Sequence, residues 1–175
     1  MVLVHRSLYE RGPLINAKQA EALRRQVEEG IAAGARPLLR GEVSGTRFEP
    51  VVLADVTTDM PIAQAELFGP VARLMPFDDE DEAAAIANDT PFGLSGAVHT
   101  RDLERGVEFA KRIEIGMVHV NDATIHDATI HDEPIVAFGG EKRSGLGRLN
   151  GEWSLAEFTT LKWISVHRGR RVSPY

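Results

Sequence analysis

The chain has 175 residues, of which 43% are hydrophobic and 26% charged, with sixteen glycines; this suits one globular domain with a core and excludes a disordered or fibrous class. A net charge of −6, spread along the chain, argues against a nucleic-acid partner, and no apolar run approaches the roughly 20 residues needed to cross a bilayer. Cysteine is absent, which removes disulfides, thiolate metal sites and any thiol nucleophile.

Met1-Val2-Leu3-Val4-His5 is a short apolar run that reads as a chain entered in the middle of a fold. Met1 to Glu10 lacks the apolar region and cleavage site of a signal peptide, so the expected compartment is the cytoplasm. A helix follows, with Asn16 as N-cap, Ala20, Leu23, Val27 and Ile31 along one face, and Gly34 closing it. Leu38 to Gly45 reads as a glycine-containing loop. Phe48 to Leu53 reads as a strand whose Pro50 suggests an edge position or a strand start.

Ala65-Glu66-Leu67-Phe68-Gly69-Pro70-Val71 packs a carboxylate, an aromatic ring and a Gly-Pro turn into a few residues before the apolar run Val71 to Phe77. If the run is extended, Glu66 and Phe68 share one side of the backbone and can face one ligand. The plainer alternative is a turn before a strand, with Phe68 in the core and Glu66 solvated. Asp78 to Glu82 then places carboxylates at a helix start, where they complement the positive helix N-terminus. Asn88 to Gly93 is a turn and Leu94 to His99 a strand. Thr100 caps a helix that buries Leu103, Val107 and Ala110 and ends by Gly116, before a strand at Met117 to Val120. Alternating strand and helix point to an α/β layer with a mainly parallel sheet, and no linker splits the chain.

From Asn121 onward the chain reads as irregular and glycine-rich. Asp122-Ala123-Thr124-Ile125-His126 is repeated at once as Asp127 to His131. His at i and i+5 does not share a helix face, so a duplication is the simpler reading than a metal site. Ala137 to Arg148 cannot be a regular element and reads as a loop built for close backbone approach. Its Gly145 to Gly151 stretch misses the dinucleotide fingerprint by a residue, and Gly140 to Ser144 makes no phosphate loop. No GxSxG elbow supports serine hydrolysis. A helical piece around Trp153 to Phe158 precedes Leu161 to His167, an alternating run that reads as a strand placed to pair with another subunit. Arg168, Arg170 and Arg171 form a basic tail.

In order, the segments Gly12 to Asn16, Phe48 to Val56, Glu66 to Val71, Phe77 to Asp102, Gly116 to Asp122 and Phe138 to Arg148 resemble the C-terminal portion of the NAD(P)-dependent aldehyde dehydrogenase family. The wording His119-Val120-Asn121-Asp122, His131 to Pro134 and Glu157 to Val166 is similar to the branch acting on benzaldehyde, salicylaldehyde and vanillin. The resemblance implies a partial catalytic domain over residues 1–158 and an oligomerisation strand and tail over 159–175, without the N-terminal Rossmann-like cofactor domain. It implies that Glu66 hydrogen-bonds the nicotinamide-ribose hydroxyls of NAD or NADP and that Phe68 lies beside the nicotinamide. Phe138 and Asn121 would belong to the aldehyde pocket, and Leu161 to Val166 would extend the sheet of a second copy or a full-length relative.

The departures from the family pattern carry equal weight. In the family a cysteine thiolate attacks the aldehyde, hydride passes to the nicotinamide and a glutamate activates water. That cysteine belongs just upstream of the segment that begins here at Met1, with the glutamate and an oxyanion-hole asparagine farther upstream. A helical stretch is missing between Glu10 and Arg11, Ala65 replaces a second glutamate, Ala137 replaces a proline, and the repeat lengthens the pocket loop. No catalytic residue is therefore expected in this chain, which reads as inactive alone, as a non-catalytic interaction module, or as half of a split enzyme.

Overall fold

A computed structural model describes residues 13–122, 124 and 135–169. The Met1–His5 run, the Glu10–Arg11 junction, His126, His131 and Arg170–Arg171 lie outside the described residues. The chain divides into two compact units, one up to residue 91 together with 111–113, the other 92–110 together with 114 onward.

The first unit is organised by helix α1 (Ala17–Ala32), as its sequence pattern predicts. The Asn16 side chain accepts the Gln19 N–H at 2.8 Å, and Gly34, at φ 115°, closes the C-terminus by donating to the Ile31 carbonyl. Ala20, Leu23 and Val27 are buried along the predicted face. Gly30 joins them, because a methyl group there would press into the Ile62 side chain. On the outer face Glu21, and then Glu28, hold the Arg24 guanidinium well above its ordinary range through bonds of 2.7 Å.

Against α1 lies a three-stranded sheet ordered β1 (Arg36–Arg40), β4 (Val51–Ala54) and β5 (Val71–Arg73). Pro50 sits immediately before β4, the central strand, so it marks a strand start rather than an edge. β1 occupies part of the expected loop. It is an exposed edge strand with a register shift between Pro37 and Leu39, and proline with a bulge blunts such an edge against further pairing. Its alternation is therefore absent from the sequence. The expected Phe48–Leu53 strand breaks at Pro50. Its first part is β3 (Arg47–Phe48), in a small hairpin with β2 (Val43–Ser44). Leu23, Val27, Phe48, Leu53, Val56 and Ile62 lead the core.

A short helix α2 (Pro61–Gln64) links β4 to β5, and helix α3 (Glu80–Asn88) follows. The acidic run at α3 is a helix start. Asp79 accepts the Glu82 N–H at 2.9 Å, while the Glu82 carboxylate accepts the Asp78 N–H at 2.7 Å, close to a capping box.

In the second unit β7 (Ser95–Val98), helix α4 (Leu103–Ala110) and β8 (Met117–Val120) form a parallel crossover. β6 (Phe92–Gly93) pairs antiparallel with β9 (Glu141–Lys142), and helix α5 (Gly151–Glu157) lies near the end of the described chain. Two expectations are corrected here. Leu103 and Val107 are 61% and 47% exposed, and the residue α4 buries is Gly106, whose Cα approaches Thr100 and Val120 too closely for a larger side chain. Asp102, accepting the Arg105 N–H, caps the helix in place of Thr100, and α4 ends at Ala110, well before Gly116.

The mainly parallel sheet is also corrected. Among the described residues the sheets are small, and three of five strand pairings are antiparallel. Both parallel pairs are bridged by a helix, β4–α2–β5 and β7–α4–β8, whereas β2 and β3, joined by a short turn, and β1 and β4, joined through that hairpin, fold back antiparallel.

Candidate functional site

The segment from Ala65 to Pro70 leaves α2 and enters β5 without regular structure. Its burial alternates: Glu66 is exposed, Leu67 packs on the core, and Phe68 is 63% exposed. The plainer alternative thus fails for Phe68, since Leu67 is the residue that anchors the segment. The Glu66 carboxylate has no hydrogen-bond partner among the described residues. An open carboxylate can accept two hydroxyl donors, and an open ring can lie against a flat heterocycle.

Two contacts fix the turn beneath this pair. Gly69 lies so close to the Leu23 Cδ2 methyl that a Cβ would overlap it. The Pro70 carbonyl accepts the Val51 N–H at 2.9 Å, tying the turn to the start of β4. Arg73 was not singled out by sequence, yet its Nη1 donates to the carbonyls of Ile62, Ala63 (2.6 Å) and Ala65 (3.1 Å). Burial lowers the Arg73 pKa from its ordinary value, though a guanidinium remains protonated. The only sequence signal is an arginine inside the apolar run after Pro70.

Asn121 and Phe138 belong to the second unit. Asn121 takes a left-handed φ of 58°, and its amide is occupied by the Thr100 backbone: Nδ2 donates to the carbonyl and Oδ1 accepts the N–H, both at 2.7 Å. It braces the ends of β7 and β8. Phe138 is half-buried and forms a two-bond antiparallel bridge with Leu149 (3.0 and 2.7 Å).

The glycine-rich loop does serve close backbone approach, but to this chain's own backbone. A Cβ on Gly116 would overlap the Gly139 carbonyl, one on Gly139 would overlap that of Gly147, and one on Gly140 would meet Ser144. The loop also contains a regular piece, β9, against the expectation that it has none. Ser144 Oγ accepts the Gly93 N–H at 2.9 Å, and Arg148 donates to the Gly140 carbonyl (3.0 Å) and to Glu141 (2.5 Å).

Comparison with known proteins places these features in a family. The model of the Aldehyde dehydrogenase family matches residues 5–164. The chain is 63% identical over 164 residues to a benzaldehyde dehydrogenase of Bacillus subtilis, covering 94% of this chain and 33% of that protein. It is 46% identical over 157 residues to a vanillin dehydrogenase of Corynebacterium glutamicum, covering 90% and 31%. The structure of a salicylaldehyde dehydrogenase from Pseudomonas putida G7, complexed with salicylaldehyde, superposes with a TM-score of 0.84 at 32% identity, covering 94% of this chain and 33% of that one. That of a Mycobacterium tuberculosis aldehyde dehydrogenase, complexed with NAD+, gives 0.81 at 37% identity, covering 92% and 33%. The chain spans about a third of the length of these relatives. With family model, sequence relatives and superposed structures in agreement, the chain belongs to the aldehyde dehydrogenase family.

Proposed function

We propose that Glu66 and Phe68 are a cofactor-facing pair for NAD or NADP, within a chain related to aromatic-aldehyde dehydrogenases that does not oxidise aldehydes by itself. The observation that supports the pair is the outward placement of a carboxylate with no hydrogen-bond partner among the described residues and a ring 63% exposed, with Leu67 packed against the core between them. These side chains fit a ribose diol and a nicotinamide ring, respectively. When bound, the nicotinamide supplies a hydride acceptor. What the chain contributes is binding and orientation, since its 175 residues contain no thiol to attack an aldehyde. Residues 1–158 are the partial catalytic domain, and the cytoplasm is its compartment. Phe138 remains the candidate for an aldehyde pocket. Asn121 would act there through its backbone position, because its amide is already used.

The purified 175-residue protein, given benzaldehyde with NAD+ or NADP+, is expected to form no reduced cofactor above the blank at 340 nm. Sustained turnover would overturn the assignment.

A second reading rests on a separate observation. Residues 159–169 form no regular element, and Leu161, Trp163, Ile164 and Val166 are 104%, 92%, 73% and 74% exposed. A strand needs a partner for its backbone groups, so the expected Leu161–His167 strand is proposed to form on pairing with a second copy or a full-length relative. Size-exclusion chromatography with light scattering should show an oligomer that Trp163→Lys shifts toward monomer. A monomeric parent protein would remove this reading.

A further inference from the structure

We propose that Arg73 is the positioning residue of the Glu66–Phe68 pair, clamping the segment that carries them so that both side chains stay turned outward; this rests on the cofactor-facing reading given above.

Helix α2 has four residues, its N-cap Met60 contributes no side-chain bond, and Ala65 at its C-terminus is already extended. A helix of this length cannot satisfy its own last carbonyls, and Glu66 follows at once. Arg73 supplies the missing donors. Its guanidinium reaches back across the Gly69–Pro70 turn, and the N–H groups of Nη1 are shared among the Ile62, Ala63 and Ala65 carbonyls. No carboxylate is among its partners in the described residues, so the charge is spent on backbone oxygens alone.

Arg73 is itself held firmly. It pairs in register with Leu53 on the central strand, where Leu53 is fully buried and its carbonyl accepts the Leu74 N–H at 2.8 Å. The loop is thus closed at its base by Arg73, pinned in the middle by Leu67 on the core, and stopped by the Gly69–Leu23 contact. A planar fork can span several carbonyls at once, whereas a lysine ammonium acts as a point donor. Without the clamp, Ala65 and Glu66 hang between Gln64, whose Nε2 donates to the Thr58 and Asp89 carbonyls, and Leu67 on the core, and the Ala65 carbonyl loses the Arg73 bond that fixes the stretch between those two anchors.

The test uses the whole chain and three variants: Arg73→Met, which keeps most of the stem and removes the donors, Arg73→Lys, and Glu66→Gln. Amide hydrogen exchange and NMR titration with nicotinamide mononucleotide, a ligand carrying the ring and ribose diol, are read together with the melting temperature. In Arg73→Met the exchange of the Ala63, Gly69 and Val71 amides should rise by about tenfold, the factor carried by one net hydrogen bond, while that of Leu53 stays unchanged. Affinity for the mononucleotide should fall by a similar factor without a matching loss of melting temperature, and Arg73→Lys should recover part of both. Unchanged exchange at these three amides overturns the clamp. So does an Arg73→Met protein that binds like the parent while Glu66→Gln does not. If instead Glu66→Gln leaves mononucleotide shifts unaltered, or the parent binds none, the cofactor reading fails, and the local exchange in Arg73→Met and Arg73→Lys still decides whether Arg73 holds the segment.

Discussion

Gly116→Ala is expected to be the most damaging conservative change in the second unit, lowering stability by about 3 kcal/mol or more, as overpacking does when the obstacle cannot rotate away. The obstacle is backbone. A Cβ at Gly116 would overlap the Gly139 carbonyl and would also come within 3.1 Å of the Gly140 Cα. Gly139 in turn abuts Gly147, and Gly140 abuts Ser144, so the strand cannot move away without disturbing the whole loop. Thermal melts followed by circular dichroism would show the loss. An unchanged melting temperature would mean that β8 and the loop are not packed as described. The sensitivity follows from composition: all the buried apolar side chains among the described residues lie in the first unit, whereas Gly93, Gly106 and Gly140 are the buried positions of the second.

In the first unit, Leu23 and Gly69 should behave as one site. Leu23 is fully buried, and Leu23→Ala is expected to cost about 2–5 kcal/mol through lost transfer energy and the cavity left behind. Gly69→Ala alone drives a methyl group into Leu23 and should cost about 1–3 kcal/mol. Their combination should cost less than the sum by about 1 kcal/mol, since each change supplies what the other lacks. Urea titration of the four proteins gives the cycle directly, and strict additivity would show that the two residues do not touch. The coupling also bears on the candidate site. Gly69 is the residue immediately after Phe68, so a shifted turn would displace the exposed ring.

These two sites show how differently the sequence discloses its content. Helix α1 was legible in full, because the cap, the apolar face and the stop are encoded within a few residues of where they act. The same is true of the acidic start of α3, whereas Pro50 left an edge position and a strand start both open, and the pairing of β4 between β1 and β5 chose the second. Glu66 and Phe68 could be paired from their spacing alone. Whether the ring turned inward or outward could not, because that depends on Leu67 finding the core formed by Leu23, Leu53 and Ile62 from three separate elements. Leu103 and Val107 mislead for the same reason. Their spacing marks an apolar face, but the side of α4 that meets β7 and β8 is the one bearing Gly106.

The sequence by itself therefore determined the family, the absence of a thiol and the local helix signals, all of which are properties of residue order and need no partner. Only the tertiary structure decided that Arg73 closes the Glu66–Phe68 loop, that Asn121 spends its amide on Thr100, that glycines meet glycines across the 139–147 loop, and that β1 is a blunted edge. Each of these joins groups far apart in sequence or bonds a side chain to backbone, and backbone carbonyls carry no sequence signal for the donor that will reach them.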